Sequence, residues 1–347
     1  MTLRSRSTLA CVSCALIAVG CAGPESSGAG DEDVRETSQA VLFDNGTSLN
    51  GTSLNGTSLN GTSLNGTSLN GTSLNGTSLN GTSLNGTSLN GTSLNGLDFI
   101  GATIPGTLSD GSTITLRIDT IEPSTDPEVL LYTVSFHDGA AWKSICGYDA
   151  AGLPVHAIPL SGRWDNTQGT DTGGDWIDEP GTMTFGCTDS ALAKCVLLGY
   201  KPWRTLGECQ NKNQCHTISV RAMHQACTRM VRADYCGDGM PHTMNKVPIN
   251  LWDAFSIQTE SRVIGNWKSE AEWSPDGMVC VDTFRYDPGG STTAYVEAHC
   301  PERNGGHFQC FGNNSSFFTT AGFSTPINER SLVREEFDQQ YVRSTLY

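Results

Sequence analysis

Residues 214–234 read QCHTISVRAMHQACTRMVRAD, and this stretch decides how the folded part of the chain is organised. Its apolar residues recur every three or four positions, which is typical of a helix with one buried face. The buried stripe comprises Val220, Met223, His224, Cys227, Met230, Val231 and Asp234. The other side carries Arg221, Gln225, Arg229 and Arg232. We therefore predict a helix over Gln214–Asp234, ended by Gly237.

Further elements are predicted upstream of this helix. A shorter helix starts after a cap at Asp189 or Ser190 and stops at Gly199-Tyr-Lys-Pro202, with Leu192, Cys195, Val196 and Gly199 on one face. Alternating apolar and polar residues predict strands at Thr113–Thr120 and Val129–Phe136, which we expect to pair antiparallel. Pro154–Trp164 and Gly181–Cys187 are also predicted as strands.

Downstream of the helix the sequence predicts mostly strands. Short strand-like runs with turn residues fill Val247–Cys310, including Met278–Phe284, and a last amphipathic helix covers Asn328–Gln340. The fold class that follows is α+β, with disulfide-stapled antiparallel strands and two to three helices.

The start of the chain is typical of an exported protein. Arg4 and Arg6 precede an apolar run, Leu9–Gly20, which is too short to span a bilayer. Ala18-Val-Gly-Cys21 resembles the lipobox of bacterial lipoproteins, and the resemblance implies cleavage before Cys21 and a lipid on its sulfur. A plain signal cleaved after Ala22, which would yield a secreted protein, is the alternative. We expect an exported protein of a bacterial cell envelope, anchored by its lipid, in the outer membrane.

The cysteines agree with export. Of 13 cysteines, Cys11 and Cys14 leave with the signal and Cys21 would carry the lipid, which leaves an even number. In an exported chain these residues are expected to form five disulfides, whose pairing the sequence does not reveal. They are Cys146, Cys187, Cys195, Cys209, Cys215, Cys227, Cys236, Cys280, Cys300 and Cys310. Cys195 and Cys227 could join their two helices to each other or to a partner.

Ten identical copies of Gly-Thr-Ser-Leu-Asn fill Gly46–Asn95. In the register Thr-Ser-Leu-Asn-Gly each unit resembles the pentapeptide-repeat family, which implies a four-sided right-handed β-helix, although Ser replaces the usual Asp or Asn before the central Leu. Phe99 and Ile104 continue the register. The alternative is a flexible spacer, because one Leu in five offers little apolar surface.

A second resemblance lies in the cysteine-rich region. Arg232-Ala-Asp-Tyr-Cys-Gly-Asp-Gly239 resembles the signature of the ADYC domain, a family of exported, mostly myxobacterial proteins. Other segments fit the same pattern, namely Lys194-Cys-Val, Gly199-Tyr-Lys-Pro-Trp203, His224-Gln-Ala-Cys227 and Glu270-Ala-Glu-Trp-Ser-Pro-Asp-Gly277 with Cys280. The family motif is thus Ala233, Asp234, Tyr235 and Cys236, within a match over Phe185–Arg285. The family is named for a motif, so the resemblance implies no activity.

Catalytic signals are weak. Gly-x-Ser-x-Gly, His-Glu-x-x-His and P-loop patterns are absent from the sequence. His224 with Asp234 or Asp238 is the single candidate for a base beside a carboxylate. A core histidine, a helix-end aspartate bonded to nearby backbone amides, and a turn aspartate are the structural alternatives. Tyr235 is expected to pack.

Metal and sugar sites have similarly weak support. Cys215-His216 with His224 and Cys227 fits no common metal spacing, and the acidic loop Asp165–Asp178 does not match an EF-hand. We therefore expect no cofactor and no metal. Exposed tryptophans could stack on sugars, but core positions are the simpler explanation for the seven Trp, which are residues 142, 164, 176, 203, 252, 267 and 273.

These observations divide the chain into four parts: a lipoprotein signal (1–21), an acidic Gly/Ser tether (22–45), the repeat (46–106) and a cysteine-rich α+β domain (107–347) with the ADYC-like core at 185–285. Loss of Arg4 and Arg6 changes the net charge from −15 to −17, which disfavours nucleic acid as a partner. The expected role is a non-enzymatic envelope lipoprotein that presents a rigid domain to an envelope protein or polysaccharide. A hydrolase centred on His224 and Asp234, and a carbohydrate-binding module using exposed Trp, are the alternatives.

Overall fold

The structure, a computed structural model, describes residues 43–44, 53–54, 57–58, 63–65, 87–89, 92–94, 99–107, 113–179, 182–211, 214–260, 266–301, 310 and 330–346. All of them belong to one compact unit, Ser38–Tyr347. The signal, Cys21 and nearly all of the tether lie outside these residues. No helix within the described ranges is long and apolar enough to cross a membrane.

The strands, in chain order, are β1 (Phe43–Asp44), β2 (Ser53–Leu54), β3 (Thr57–Ser58), β4 (Ser63–Asn65), β5 (Thr87–Leu89), β6 (Thr92–Leu94), β7 (Thr103–Thr107), β8 (Thr113–Pro123), β9 (Leu130–His137), β10 (Trp142–Ser144), β11 (Ala157–Ser161), β12 (Arg163–Trp164), β13 (Trp176–Ile177), β14 (Thr182–Cys187), β15 (Thr205–Asn211), β16 (Gln214–Ser219), β17 (Pro248–Asp253), β18 (Trp267–Ser274), β19 (Gly277–Val281) and β20 (Val333–Asp338). The helices are α1 (Ala191–Leu197), α2 (Val220–Arg232), α3 (Ser291–His299) and α4 (Gln339–Leu346).

The first sheet is antiparallel, with strand order β10-β9-β11-β14-β4-β7-β8. Because β8 also pairs with β9, the sheet closes on itself and β10 lies beside the ring. The predicted pairing of β8 with β9 is confirmed, with Ile118 opposite Val134. The alternating apolar residues of these strands, such as Leu116 and Tyr132, turn inward and form the core of this half.

The second sheet has strand order β1-β17-β20-β18-β19 and is also antiparallel. Its central strand β20 corrects the prediction of a helix over Asn328–Gln340, since the helix α4 begins only at Gln339. Val333, Glu335 and Phe337 alternate along β20 and are all buried. That period of two fits a strand between two neighbours, whereas an amphipathic helix would bury residues three or four positions apart.

The helix α2 is shorter than predicted. Gln214–Ser219 is not helical but forms β16, which pairs with β15 and places Cys209 opposite Cys215. Ser219 ends this hairpin and caps the helix, because its Oγ accepts a hydrogen bond from the amide of Arg221 at 3.2 Å. Hairpin pairing therefore overrides helical periodicity in the first six positions of the predicted segment.

The helix α3 replaces part of the strand-like region predicted downstream. Its β-branched residues favour a strand by composition. However, Asp287 accepts hydrogen bonds from the amides of Thr292 at 2.7 Å and Thr293 at 3.2 Å, which stabilises a helix at this point.

Four disulfides connect described cysteines: Cys146–Cys187, Cys195–Cys227, Cys236–Cys300 and Cys280–Cys310. The second joins α1 to α2, which confirms the first of the two alternatives considered for that pair. Cys209 and Cys215 are the two remaining mature cysteines of the predicted set, so a fifth disulfide across β15 and β16 stays a prediction.

Little of the repeat is described. Within it, β2 pairs with β3 and β5 pairs with β6, both antiparallel, whereas successive turns of a β-helix would run parallel. Most of the repeat lies outside the described residues, so the β-helix stays a prediction there. At Ile104 the prediction is corrected, because β7 pairs antiparallel with β8 and buries Ile104 in the first sheet.

Candidate functional site

The family motif begins where α2 ends. Ala233 follows the last helical residue and adopts the left-handed conformation, with φ 51° and ψ 47°. Its amide donates to the carbonyl of Met230 at 3.0 Å, and the amide of Asp234 donates to that of Arg229 at 2.9 Å. Glycine is the usual residue in this conformation, but here a fully buried alanine occupies it. The reversal directs Asp234 and Tyr235 into the interior, and Cys236 after them is partly buried.

Asp234 holds the turn together. Its Oδ1 accepts from the amide of Asp238 at 3.1 Å and its Oδ2 from that of Gly239 at 3.0 Å, as expected of a helix-end aspartate. Oδ2 also lies 2.6 Å from Nη1 of Arg229 and 3.6 Å from Nη1 of Arg232. Because all three charged side chains are buried, the carboxylate compensates two guanidinium groups that water cannot reach.

Tyr235 and Cys236 lock the motif to the rest of the domain. The hydroxyl of Tyr235 donates to Glu270 Oε1 at 2.8 Å and accepts from the amide of Arg285 at 2.9 Å. Its ring stacks on Trp273 with 5.3 Å between the centroids, so Tyr235 packs as expected. Burial, with Glu270 nearby, raises the pKa of Tyr235 well above its ordinary value. Cys236 is bonded to Cys300, directly after α3.

An ion cluster lies behind Tyr235. Arg285 donates through Nε to Glu270 Oε2 at 2.7 Å and through Nη2 to Glu335 Oε1 at 2.7 Å and Oε2 at 2.8 Å. The indole of Trp273 donates to the same Oε1 at 3.0 Å. All three charged side chains have no exposed surface. Burial and the neighbouring Glu270 raise the pKa of Glu335 although Arg285 opposes this, so one guanidinium serves two closely packed carboxyl groups.

The sequence did not single out this cluster as a site. Glu270 begins one of the segments quoted for the family resemblance, Arg285 is the last residue of the matched range, and Glu335 falls within the predicted helix Asn328–Gln340. Glu270 in β18 and Glu335 in β20 are charged residues at fully buried positions, but both strands carry several other charged or polar residues, so the sequence alone does not distinguish these two.

The structure does not bring His224 to Asp234. His224 is fully buried in α2, its ring lies 5.8 Å from that of Trp164, and its Nε2 donates to the carbonyl of Leu192 at 2.9 Å. Asp238 instead accepts from the hydroxyl of Tyr295 at 2.7 Å. His224 and the two aspartates considered as its catalytic partners therefore bond to different residues.

Burial lowers the pKa of His224 to about 4, and Arg221 adds to this effect. Since a buried histidine resists protonation, it contributes stability that is present above its unfolded pKa of about 6.5. We expect this contribution, at most about 3 kcal/mol, to be lost as the pH falls from 6.5 to 4. His224→Gln should remove that loss, measured by urea unfolding across this range. The exposed His137→Gln is the control, and an unchanged pH dependence in His224→Gln would contradict the expectation.

The other metal candidates have different partners. Cys227 of the Cys215, His216, His224 and Cys227 set is bonded to Cys195. In the acidic loop, Asp165 accepts from the hydroxyls of Thr167 at 2.7 Å and Thr172 at 2.6 Å. These contacts describe a loop stabilised by its own side chains.

A surface cleft lies beside the motif, with a volume of about 360 Å³. Its lining comprises Asp175, Trp176, Ser219, Arg221, Ala222, Gln225, Pro275 and Asp276. The guanidinium of Arg221 stacks over the indole of Trp176 at 3.8 Å and donates to Ser161 Oγ at 3.2 Å. This wall of the cleft is therefore cationic and aromatic.

The cleft also has two acidic lining residues, Asp175 and Asp276. Asp175 forms an ion pair with the buried Arg229, and burial together with Asp276 raises its pKa although Arg229 opposes this. Gln225 also lines the cleft, and its amide group accepts from the indole of Trp164 at 3.1 Å and donates to the carbonyl of Gly174 at 2.8 Å. No histidine or cysteine is among the described lining residues, whose polar groups include a guanidinium, two carboxylates, an amide and the hydroxyl of Ser219.

The motif and the cleft are connected through Arg229. This residue joins Asp234 in the motif to Asp175 at the cleft, and its Nε donates to the carbonyl of Pro275 at 3.0 Å. Through Arg229, the motif therefore helps to hold Asp175, a lining residue of the cleft, in position.

Family models match two parts of the chain. The pentapeptide-repeat model, with eight copies, matches residues 45–76 and 68–104. The ADYC domain model matches residues 96–287, which extends well upstream of the segment that the sequence resemblance covered. No curated protein and no solved structure matches this chain significantly. Since the ADYC domain model covers more than half of the sequence, the chain belongs to the ADYC domain family.

Proposed function

We propose that the chain is a lipid-anchored protein of a bacterial cell envelope that binds a partner without catalysing a reaction. Its ADYC domain serves as a rigid module, and the cleft lined by Trp176, Arg221, Asp175 and Asp276 is its recognition surface. The lipobox-like segment ending at Cys21 supports the anchor, and the four described disulfides fit an oxidising compartment.

One observation carries the proposal: the side-chain functional groups of Asp234, Tyr235 and Cys236 are all bonded to other residues of the domain. The carboxylate of Asp234 is bonded to guanidinium groups and amides, the hydroxyl of Tyr235 to Glu270, and the sulfur of Cys236 to Cys300. The motif therefore stabilises the fold of the domain. We assign the contacts with a partner to the cleft beside the motif.

The cleft suits a partner with groups of mixed charge. Arg221 offers a cation, while Asp175 and Asp276 offer carboxylates. An envelope protein or a charged polysaccharide has such groups, whereas nucleic acid is disfavoured by the net charge of −15. The repeat would act as a spacer, either as a short β-helix of the pentapeptide type or as an extended segment.

Neither alternative function gains comparable support. A hydrolase would need His224 in an open site, but His224 is fully buried. A sugar-binding module would need coplanar exposed indoles, but all seven Trp are described and each is buried or partly buried. The indole of Trp176, which does line the cleft, has Arg221 stacked on one face.

Photo-crosslinking in intact cells tests the cleft directly. A photoreactive amino acid at Ala222, which lines the cleft, should give an adduct with an envelope component, whereas the same group at the exposed Ala151 should not. Arg221→Glu should abolish the adduct, because it reverses the charge of one wall. Equal labelling at both positions, or none at Ala222, would argue against the cleft as a recognition surface.

The anchor makes a separate prediction. Cys21→Ala should move the protein from the membrane fraction to the soluble fraction, because the thiol that accepts the lipid is gone. Cys14→Ala, a cysteine replacement within the same signal, is the control and should leave the protein in the membrane fraction. Immunoblotting of the two fractions gives the answer, and a membrane-bound Cys21→Ala protein would refute the lipid anchor.

A further inference from the structure

A carboxyl group lies beside one of the disulfides. A carboxylate oxygen of Glu272 and the sulfurs of Cys280 and Cys310 all lie within 4.8 Å of one another. Among the described residues, this is the single group of three His, Cys, Asp or Glu side chains that lie so close together. Cys280 and Cys310 are bonded to each other. None of the other three described disulfides has a carboxyl or imidazole group within 4.8 Å of both sulfurs. The arrangement is therefore specific to Cys280–Cys310.

The sheet register holds the carboxyl group in place. Glu272 in β18 is directly opposite Cys280 in β19, and on its other side it is opposite Arg334 in β20. Cys310 comes from outside the sheet and reaches this row through its bond to Cys280. The backbone pairing of β18 with β19 keeps Glu272 beside Cys280 whether or not the bond to Cys310 is present.

We propose that Cys280–Cys310 is a site of thiol–disulfide exchange with an external dithiol, in which the carboxyl group of Glu272 donates a proton to the sulfur of Cys280 as it leaves. A thiolate of the dithiol attacks Sγ of Cys310, the Cys280–Cys310 bond breaks, and the pair of electrons goes to Cys280. The second thiol of the dithiol then displaces Cys310 and closes its own disulfide. The dithiol loses two electrons and two protons, and the two cysteines gain them.

The surroundings of Glu272 favour this role. Burial raises the pKa of Glu272 to about 7; Arg334, 3.9 Å away, lowers it, and Asp282 raises it. Ser331 donates to its Oε2 at 3.4 Å. Below neutral pH the group therefore carries the proton that the leaving thiolate needs, while an ordinary glutamate would have lost it. Arg334 and Asp282 are the charged groups that face it from β20 and from the end of β19.

Both cysteines are nearly buried, with 6% and 7% of their surface exposed, so the dithiol reaches them through local opening. The prediction therefore concerns how fast Cys280–Cys310 is reduced relative to another buried disulfide, and how this ratio of rates depends on pH. Cys146–Cys187, which lies in the first sheet region and is also buried, serves as an internal reference for opening of the whole domain.

The test is graded reduction of the purified full chain with dithiothreitol between about pH 5.5 and 8.5. Free thiols are trapped by alkylation, and peptide mass spectrometry gives a reduction rate for each disulfide. In the natural protein the rate of Cys280–Cys310 relative to Cys146–Cys187 should be highest below pH 7 and should fall as the pH rises through 7, because Glu272 then loses its proton.

Glu272→Gln should lower that relative rate about tenfold near pH 6 and make it independent of pH, since an amide cannot supply the proton. Glu336→Gln, in the adjacent strand β20 and away from the two sulfurs, is the matched control and should behave like the natural protein. The proposal fails if Glu272→Gln leaves the relative rate and its pH profile unchanged. It also fails if Cys280–Cys310 is reduced only together with every other disulfide.

Discussion

Asp234→Ala is expected to destabilise the domain by about 3 to 5 kcal/mol, because it removes the buried carboxylate that compensates the buried guanidinium groups of Arg229 and Arg232. The carboxylate of Asp234 lies 2.6 Å from Arg229 and 3.6 Å from Arg232, and all three side chains are buried. The same change also removes the acceptor for the amides of Asp238 and Gly239. The measurement is the free energy of unfolding in guanidinium chloride.

Two further variants separate charge from hydrogen bonding. Asp234→Asn keeps an acceptor for the turn but loses the charge, so it should fall between the natural protein and Asp234→Ala. Asp238→Asn, four residues along in the same loop, is the control and should cost about 1 kcal/mol or less, because this carboxyl group is partly exposed. A cost below about 1 kcal/mol for Asp234→Ala would show that the motif does not hold the fold as described.

Arg285→Met is expected to cost a similar amount, about 3 to 5 kcal/mol near pH 7.5, and its cost should depend on pH. Methionine fills much of the same volume, but Glu270 and Glu335 lose the cation that lies between them. Burial already raises the pKa of Glu335, and the loss of Arg285 removes an interaction that lowers it. The variant should therefore be most stable at low pH and lose stability as the pH rises.

The direction of this dependence distinguishes the cluster from simple loss of packing. A carboxyl group whose folded pKa is raised favours the folded state while it is protonated, so the deficit of Arg285→Met should shrink between pH 7.5 and pH 5. Arg117→Met is the control, since this side chain is about a third exposed and lies outside the cluster. A deficit of the same size at both pH values would contradict the assignment.

Several elements followed directly from local pattern. The pairing of β8 with β9 and the limits of α1 were visible because one face of each is buried and the residues alternate accordingly. Two strands were assigned wrongly to helices, and for one reason. Gln214–Ser219 and Val333–Asp338 both contain apolar residues at spacings compatible with a helix, but each is a strand because a neighbouring strand satisfies its backbone.

The candidate site was predicted only in part. That Asp234 would bond to backbone amides and that Tyr235 would pack followed from their position at the end of a helix. The ion cluster beside Tyr235 could not be predicted from the sequence, because Arg285, Glu270 and Glu335 come from different strands and loops. The cleft likewise depends on Trp176 and Asp276, which are brought together from distant segments.

The sequence by itself determined the class of the protein: a cysteine-rich α+β domain of the ADYC family, preceded by pentapeptide repeats. Such features are local, since a motif, a repeat or an alternating strand is recorded in consecutive residues. Only the tertiary structure decided what the motif does. An aspartate at a helix end could hold a turn together or take part in a reaction. For Asp234 the structural role follows from its ion pairs with the buried Arg229 and Arg232, and from the separate hydrogen bond of His224 to Leu192. Those are properties of how the chain packs, which no single segment encodes.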